Sequence, residues 1–219
     1  MGGMIQVQRI TVSSRIRELW PALRIHALSF AGGKIGIGNP AIDPLRRAIL
    51  TRLRHRIHTP REILELPQQK AFDLPLRGIG SSSSRPLRHL ALLADVIAGR
   101  PFPVINDVVD CAHLTALFHL LPAFAWDLGS LTPPLQVDLI PPAVEEEAEP
   151  CLVDARGPVA GIRCGQLRAA VTTATREFAV GIVDPGLEGG LDPTRTCRRL
   201  ANWVRALTGA TVRTLEQDG

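Results

Sequence analysis

The stretch from Asn106 to Leu128, NDVVDCAHLTALFHLLPAFAWDL, constrains the fold more than any other part of the sequence. Val108, Val109, Ala112, Ala116, Leu117 and Leu120 share one broad face at helical spacing. Pro122 ends the run, because a proline inside a helix lacks the donor N–H and clashes with the preceding turn. The spacing therefore predicts a helix that delivers its C-terminal end into an apolar elbow.

Around this stretch the pattern runs from helices early to strands late. Ile5 to Val12 reads as an opening strand, followed by a short helix capped by Ser13 or Ser14 and stopped by Pro21. Leu23 to Phe30 alternates and predicts a second strand. The glycine-rich AGGKIGIGNP has neither the G-K-[ST] ending of a phosphate loop nor the spacing of a dinucleotide fingerprint, so a plain loop is expected. After Asp43-Pro44, Leu45, Ile49, Leu53 and Ile57 recur at fourfold spacing, and Arg46, Arg47, Arg52, Arg54 and Arg56 make this helix the most basic element. A solvated face and a phosphate-binding face are both open readings of those arginines.

Pro60 to Gly80 reads as a long connection with at most one short helix, near Arg61 to Leu66. The serines before Arg85-Pro86 lead into a helix over Leu87 to Ala98, with a serine cap and proline in the first turn. Beyond Leu128, Leu135 to Ile140 alternates as a strand and PPAVEEEAEP is an acidic loop. Cys151 to Cys164 reads as a hairpin turning at Ala155-Arg156-Gly157, and Arg176 to Val183 as a strand. Asp192-Pro193 opens a last amphipathic helix with Cys197, Leu200, Ala201, Val204 and Leu207 on one face. Together these elements predict the α+β class.

A chain of 219 residues can bury a core without disulfides or metals. Its 45% hydrophobic and 21% charged content belongs to ordinary globular proteins. No stretch reaches the roughly 18 apolar residues of a membrane span, and MGGMIQVQRI lacks the order of a signal peptide. A cytoplasmic location without a membrane partner is expected. The four cysteines, Cys111, Cys151, Cys164 and Cys197, are widely spaced with no C-x-x-C, so buried thiols are expected and neither metal nor cofactor is. A net charge of +4 favours an acidic partner only weakly.

Val109-Asp110, Pro122, Ala125, Trp126 and Asp127 follow one another as in VD-x-x-N-Y and Q-P-x-H-A-F-D, and the chain here resembles the B3/B4 domain of the phenylalanyl-tRNA synthetase beta subunit. The second signature of that family is similar to CLVDARGPVAGIRCGQLRAAVTTATREFAVGIV, with Asp154, Val171, Thr172 and Thr175 in the matching positions. The resemblance covers about residues 5–208. It implies one B3/B4-like domain over residues 1–219 with a mixed, mainly antiparallel sheet flanked by helices. It also implies a stand-alone module that hydrolyses the ester of a mischarged tRNA. An aminoacyl ester is already activated, so a selective pocket, one positioned water and oxyanion stabilisation suffice, and no strong nucleophile is needed.

The chain departs from the family pattern at polar positions. Phe124 replaces the family's histidine, Leu121 its glutamine and His113 its asparagine, and the glycine-glycine-glutamate passage becomes Gly165-Gln166-Leu167. His113, one turn after Asp110, is the candidate general base oriented by that carboxylate; a half-buried structural histidine is the other reading. The resemblance places Phe124, Trp126, Arg163, Cys164, Gln166, Thr172 and Thr175 around the substrate. Arg46, Arg47, Arg54 and Arg85 are the candidate contacts to the tRNA acceptor end. Two further functions stay open: an enzyme acting on a small amino-acid-like molecule, and a non-catalytic RNA-binding module.

Overall fold

The alternating segments build two sheets rather than one. The computed structural model describes residues 10–81, 86–140, 148–187 and 191–214. In chain order the strands are β1 (Ile10–Val12), β2 (Arg24–Ala31), β3 (Ala123–Asp127), β4 (Leu135–Ile140), β5 (Glu149–Asp154), β6 (Gly157–Gly161), β7 (Gly165–Gln166), β8 (Glu177–Asp184) and β9 (Thr211–Thr214). The helices are α1 (Ser14–Leu19), α2 (Asp43–Arg56), α3 (Pro60–Leu64), α4 (Pro67–Gly78), α5 (Arg88–Ile97), α6 (Asp107–His119) and α7 (Pro193–Thr208). The order β1-β4-β5-β6-β7 forms one sheet, antiparallel except for the parallel β1–β4 pair. The second sheet, β3-β8-β2-β9, is antiparallel throughout. The class is α+β, as the sequence predicts.

The reason for two sheets lies in β8, which is buried from Phe178 to Val183 and so on both faces. Such a strand needs an apolar layer on each side. Phe178 and Val180 pack against Val108, Cys111 and Ala112 of α6 and Leu200 and Val204 of α7. On the other face, Ala179 packs with Ala27 and Trp126 against Leu135, Leu152, Val159 and Ala160 of the five-stranded sheet. Small residues opposite Trp126 are required: a Cβ on Gly181 would lie 2.7 Å from the Trp126 ring. The layers are thus sheet, sheet, helices, with the elbow strand β3 between the two apolar interfaces.

Three local expectations change. The short helix expected near Arg61 to Leu66 is α3, but the rest of the Pro60–Gly80 connection also folds, into α4, because Pro67 occupies a first helical turn, where no N–H is needed, and Phe72 and Leu76 are fully buried. Phe72 meets Trp20 edge-on at 5.2 Å. The elbow after Pro122 is the strand β3, paired along its length with β8. Helix α5 has Leu87 as its N-cap and no side-chain cap; instead the Arg88 N–H donates to the Ile162 carbonyl at 3.0 Å. Ser82 to Ser84, the stretch before Ile10 and the acidic 141–147 lie outside the described residues.

Candidate functional site

Helix α6 begins where the polar residues of the opening stretch each find a backbone partner. Asn106 Oδ1 accepts from the N–H groups of Val108 and Val109, closing the first turn, while its Nδ2 donates to the Val171 carbonyl at 2.9 Å. The Asp107 carboxylate accepts from the Gly36 N–H at 2.8 Å, and the Asp107 N–H donates to the Gly36 carbonyl at 3.0 Å. The glycine-rich segment is therefore a loop fastened to a helix start. Asp110 Oδ1 accepts from the Ile105 N–H at 2.9 Å, and burial raises the pKa of this carboxyl above its usual value.

His113 does not receive the orientation from Asp110 that its spacing suggested. Its Nδ1 is buried without a hydrogen-bond partner, and its ring meets Phe102 edge-on at 6.1 Å. The Asp110 carboxylate turns instead to the segment entering the helix. Burial and the charge of Arg88 lower the imidazole pKa to about 4, so the ring is neutral at physiological pH. The Arg88 stem also lies over Gly165, with its Cγ 3.5 Å from where a Cβ would stand. A neutral imidazole and a guanidinium thus share one neighbourhood between α6, α5 and the β6–β7 turn.

At its other end α6 stops because Leu120 adopts a left-handed conformation, φ 59°, and the Leu120 and Leu121 N–H groups both close on the Ala116 carbonyl. His89 holds the Leu120 carbonyl with its Nε2 at 3.1 Å. The chain then enters β3 and ends at Asp127, which joins the two signature stretches. Asp127 Oδ1 accepts from the Gly129 N–H at 3.0 Å, Oδ2 accepts from the Thr175 hydroxyl at 3.0 Å, and the Asp127 N–H donates to the Ala169 carbonyl at 2.8 Å. Thr175 in turn accepts from the Thr172 N–H at 3.0 Å.

The expected substrate-lining residues fall into separate places. Phe124 and Trp126 line a small apolar cavity between the sheets, with Leu23, Ile25, Val137, Pro150, Leu152, Ala160, Ile162 and Val183. Thr172 and Thr175 belong to the turn that binds Asp127. Arg163 is buried and donates to Ser81 Oγ at 2.6 Å, while Cys164 follows it on the β6–β7 turn. Gln166 is exposed, and its amide bonds to the Arg168 carbonyl. Leu167, at the family's acidic position, is 54% exposed and does not line the inter-sheet cavity.

The arginines also divide. Arg46 contacts Asp43 and lies 5.9 Å from the Phe102 ring centre, Arg54 donates to the Val96 carbonyl at 3.3 Å, and Arg47 is exposed. Arg85 lies outside the described residues. A different basic group is assembled by the fold. The guanidinium carbons of Arg52 (α2) and Arg199 (α7) stand 4.9 Å and 4.2 Å from the Phe118 ring centre. Phe118 meets Trp203 edge-on at 5.9 Å and His119 at 4.9 Å. Burial and the charges of Arg195 and Arg52 lower the Arg199 pKa, the mark of like charges held together. Among the described residues no carboxylate forms an ion pair with Arg52, Arg195 or Arg199. Sequence periodicity could not find this cluster, since its members come from three helices.

Three imidazoles are held neutral in the fold. Burial drives His89 to about 3, and burial with Arg199 and Arg52 drives His119 to about 4, beside His113 at about 4. In the unfolded chain each takes a proton below about pH 6.5. The unfolded state then binds more protons, so stability declines as pH falls from about 6.5 toward the lowered folded values. The urea midpoint is expected to fall between about pH 7 and about pH 5, and His89→Gln to reduce that slope. An unchanged midpoint would mean that these rings take up protons without unfolding.

No family model matches the chain, and no curated protein matches it. Among solved structures, the chain is similar to an N-terminal fragment of the phenylalanyl-tRNA synthetase beta subunit from Pyrococcus horikoshii. The identity is 10%, the TM-score 0.45, and the match covers 97% of this chain and 52% of that one. The relationship is a distant structural one. The chain spans about half the length of that fragment, and a likeness at this level assigns no residue a role. Among the described residues no helix is long and apolar enough to cross a membrane.

Proposed function

We propose that the protein binds the acceptor end of an aminoacyl-tRNA and hydrolyses its ester bond. The observation that carries this reading is the pair Arg52 and Arg199 over Phe118, with the charge of Arg195 near Arg199. Guanidinium groups beside an aromatic face suit a phosphate backbone with unstacked bases. The ester chemistry rests on the resemblance of the two signature stretches and is supported by their contact through Asp127 and Thr175. In this reading the neutral His113 takes a proton from water as the water oxygen attacks the ester carbonyl, and Arg88 steadies the oxyanion. The bond to the ribose oxygen then breaks, and that oxygen recovers the proton. Asp110 contributes by holding the start of α6.

A panel of aminoacyl-tRNAs incubated with the protein tests this directly. Accelerated release of at least one amino acid is expected, with a loss of about 10²-fold or more in His113→Ala. Arg52→Ala with Arg199→Ala should weaken tRNA binding and reduce its dependence on salt. No acceleration with any member of the panel sinks the hydrolase reading.

A second reading follows from the departures from the family pattern, where polar positions have become Leu121, Phe124 and Leu167. It makes the protein an enzyme for a small amino-acid-like molecule. Binding of such a molecule, with no tRNA affinity at low salt, would select it over the first.

A further inference from the structure

The geometry points to a binding site for a thiophilic divalent cation, zinc foremost, formed by Glu149, Cys151 and Cys164. It lies on the face of the five-stranded sheet turned away from the inter-sheet cavity. Pro150, Leu152 and Ala160 point into that cavity. Alternation therefore sends Glu149 and Cys151 to the opposite face of β5, with Gly161 of β6 directly beside Cys151. The β6–β7 turn carries Cys164 back over the same glycine. One carboxylate oxygen and the two sulfurs all lie within 4.8 Å of one another. In a tetrahedral zinc site two sulfurs stand about 3.8 Å apart, given Zn–S bonds of about 2.3 Å, so small side-chain adjustments close the set.

Gly161 reveals where the three groups aim. A Cβ there would lie 2.7 Å from the Cys151 sulfur, 2.7 Å from the Cys164 sulfur and 2.8 Å from the Glu149 carboxyl carbon. Three donors from one strand and a turn converge on a space that any other residue would fill. The carboxylate is already aimed, because one oxygen accepts from the Arg163 N–H at 2.6 Å and the other from the Cys164 N–H at 3.0 Å. Each oxygen keeps a lone pair for an ion, and such outer hydrogen bonds are what orient metal ligands.

The donor chemistry selects the ion. Two thiolates with one carboxylate suit zinc and disfavour magnesium and calcium, which take oxygen sets. Glu149 and Cys151 are 8% and 2% exposed, while Cys164 is half-buried. Three protein ligands with one side open leave the fourth position to water. On binding, each thiol releases its proton to solvent; Cys164, whose thiol donates to the Gly165 carbonyl at 3.5 Å, exchanges that weak bond for the metal.

The untagged full chain, reduced and stripped with a chelator, is titrated with Co²⁺. The expected result is saturation at one ion per chain, with a thiolate-to-cobalt charge-transfer band and tetrahedral d–d bands, both erased by added Zn²⁺. Cys151→Ser and Cys164→Ser should each remove most of the charge-transfer band. Glu149→Gln should keep it but weaken binding about tenfold or more. Cys111→Ser and Cys197→Ser should change nothing. Folding of every variant is followed by circular dichroism. A folded wild-type chain that shows no charge-transfer band, or a band of full strength in either folded serine variant, overturns the site.

Discussion

Replacing Asp154 by alanine is expected to lower the unfolding free energy by about 3–5 kcal/mol, the range for breaking a buried ion pair from one side. The Asp154 side chain is fully shielded. It accepts from the Thr132 N–H at 2.9 Å, the Arg156 N–H at 2.7 Å and Arg168 Nη1 at 2.9 Å, and also contacts Arg168 Nη2. Arg168 also donates to the carbonyls of Pro158 at 2.8 Å and Gly157 at 2.6 Å, so one pair binds the β5–β6 hairpin to the segment before β4. Alanine would take their partner from the Thr132 and Arg156 N–H groups and from Arg168 Nη1, while Nε and Nη2 keep their carbonyls.

The same pair has a signature in acid. Burial alone would raise the Asp154 pKa, but Arg168 and the two backbone N–H groups bring it down to about 2. A folded value below the unfolded one, about 3.9, means the contribution is fully present above about pH 3.9 and is lost as pH falls toward the folded value. Chemical denaturation at neutral pH and in acid measures both. A loss under about 1 kcal/mol at neutral pH would show that solvent screens the pair.

Trp126→Ala should cost a similar amount, about 3–5 kcal/mol, because the ring is 2% exposed and fills the space between the sheets. Trp126→Phe should cost much less. Its indole N–H is buried without a protein acceptor, so phenylalanine removes an unpaired donor along with some contact area. Gly181→Ala alone should cost about 1–3 kcal/mol by pressing on that ring. Combined with Trp126→Ala, its penalty should largely disappear, since the added methyl enters the vacated space. Strictly additive losses in the double variant would refute the contact.

Several elements were legible because their signals are local. The amphipathic α2 and α7, the alternating β4 and the Cys151–Cys164 hairpin announce themselves through spacing and turn residues alone. Ser13 caps α1 and Asn106 caps α6 through side-chain bonds within three residues. Other elements were concealed. The proline that opens α4 reads as punctuation, although at a first helical turn it is compatible with a helix. Of the candidate site, the link between Asp110 and His113 was the natural inference from one helical turn of separation. It fails because the carboxylate accepts from the Ile105 N–H, while the His113 Nδ1 is buried without a partner.

The α+β class and most helices and strands can be read from neighbouring residues, where periods of 3.6 and 2 are written, whereas α4 and β3 cannot. Tertiary packing alone divides the strands into two sheets. It also brings Arg52 and Arg199 to opposite flanks of Phe118, and Glu149, Cys151 and Cys164 to one point above Gly161. Those groupings depend on strand register and on which faces pack together. Residues from separate elements meet there without any shared spacing along the chain, so nothing local records the contact.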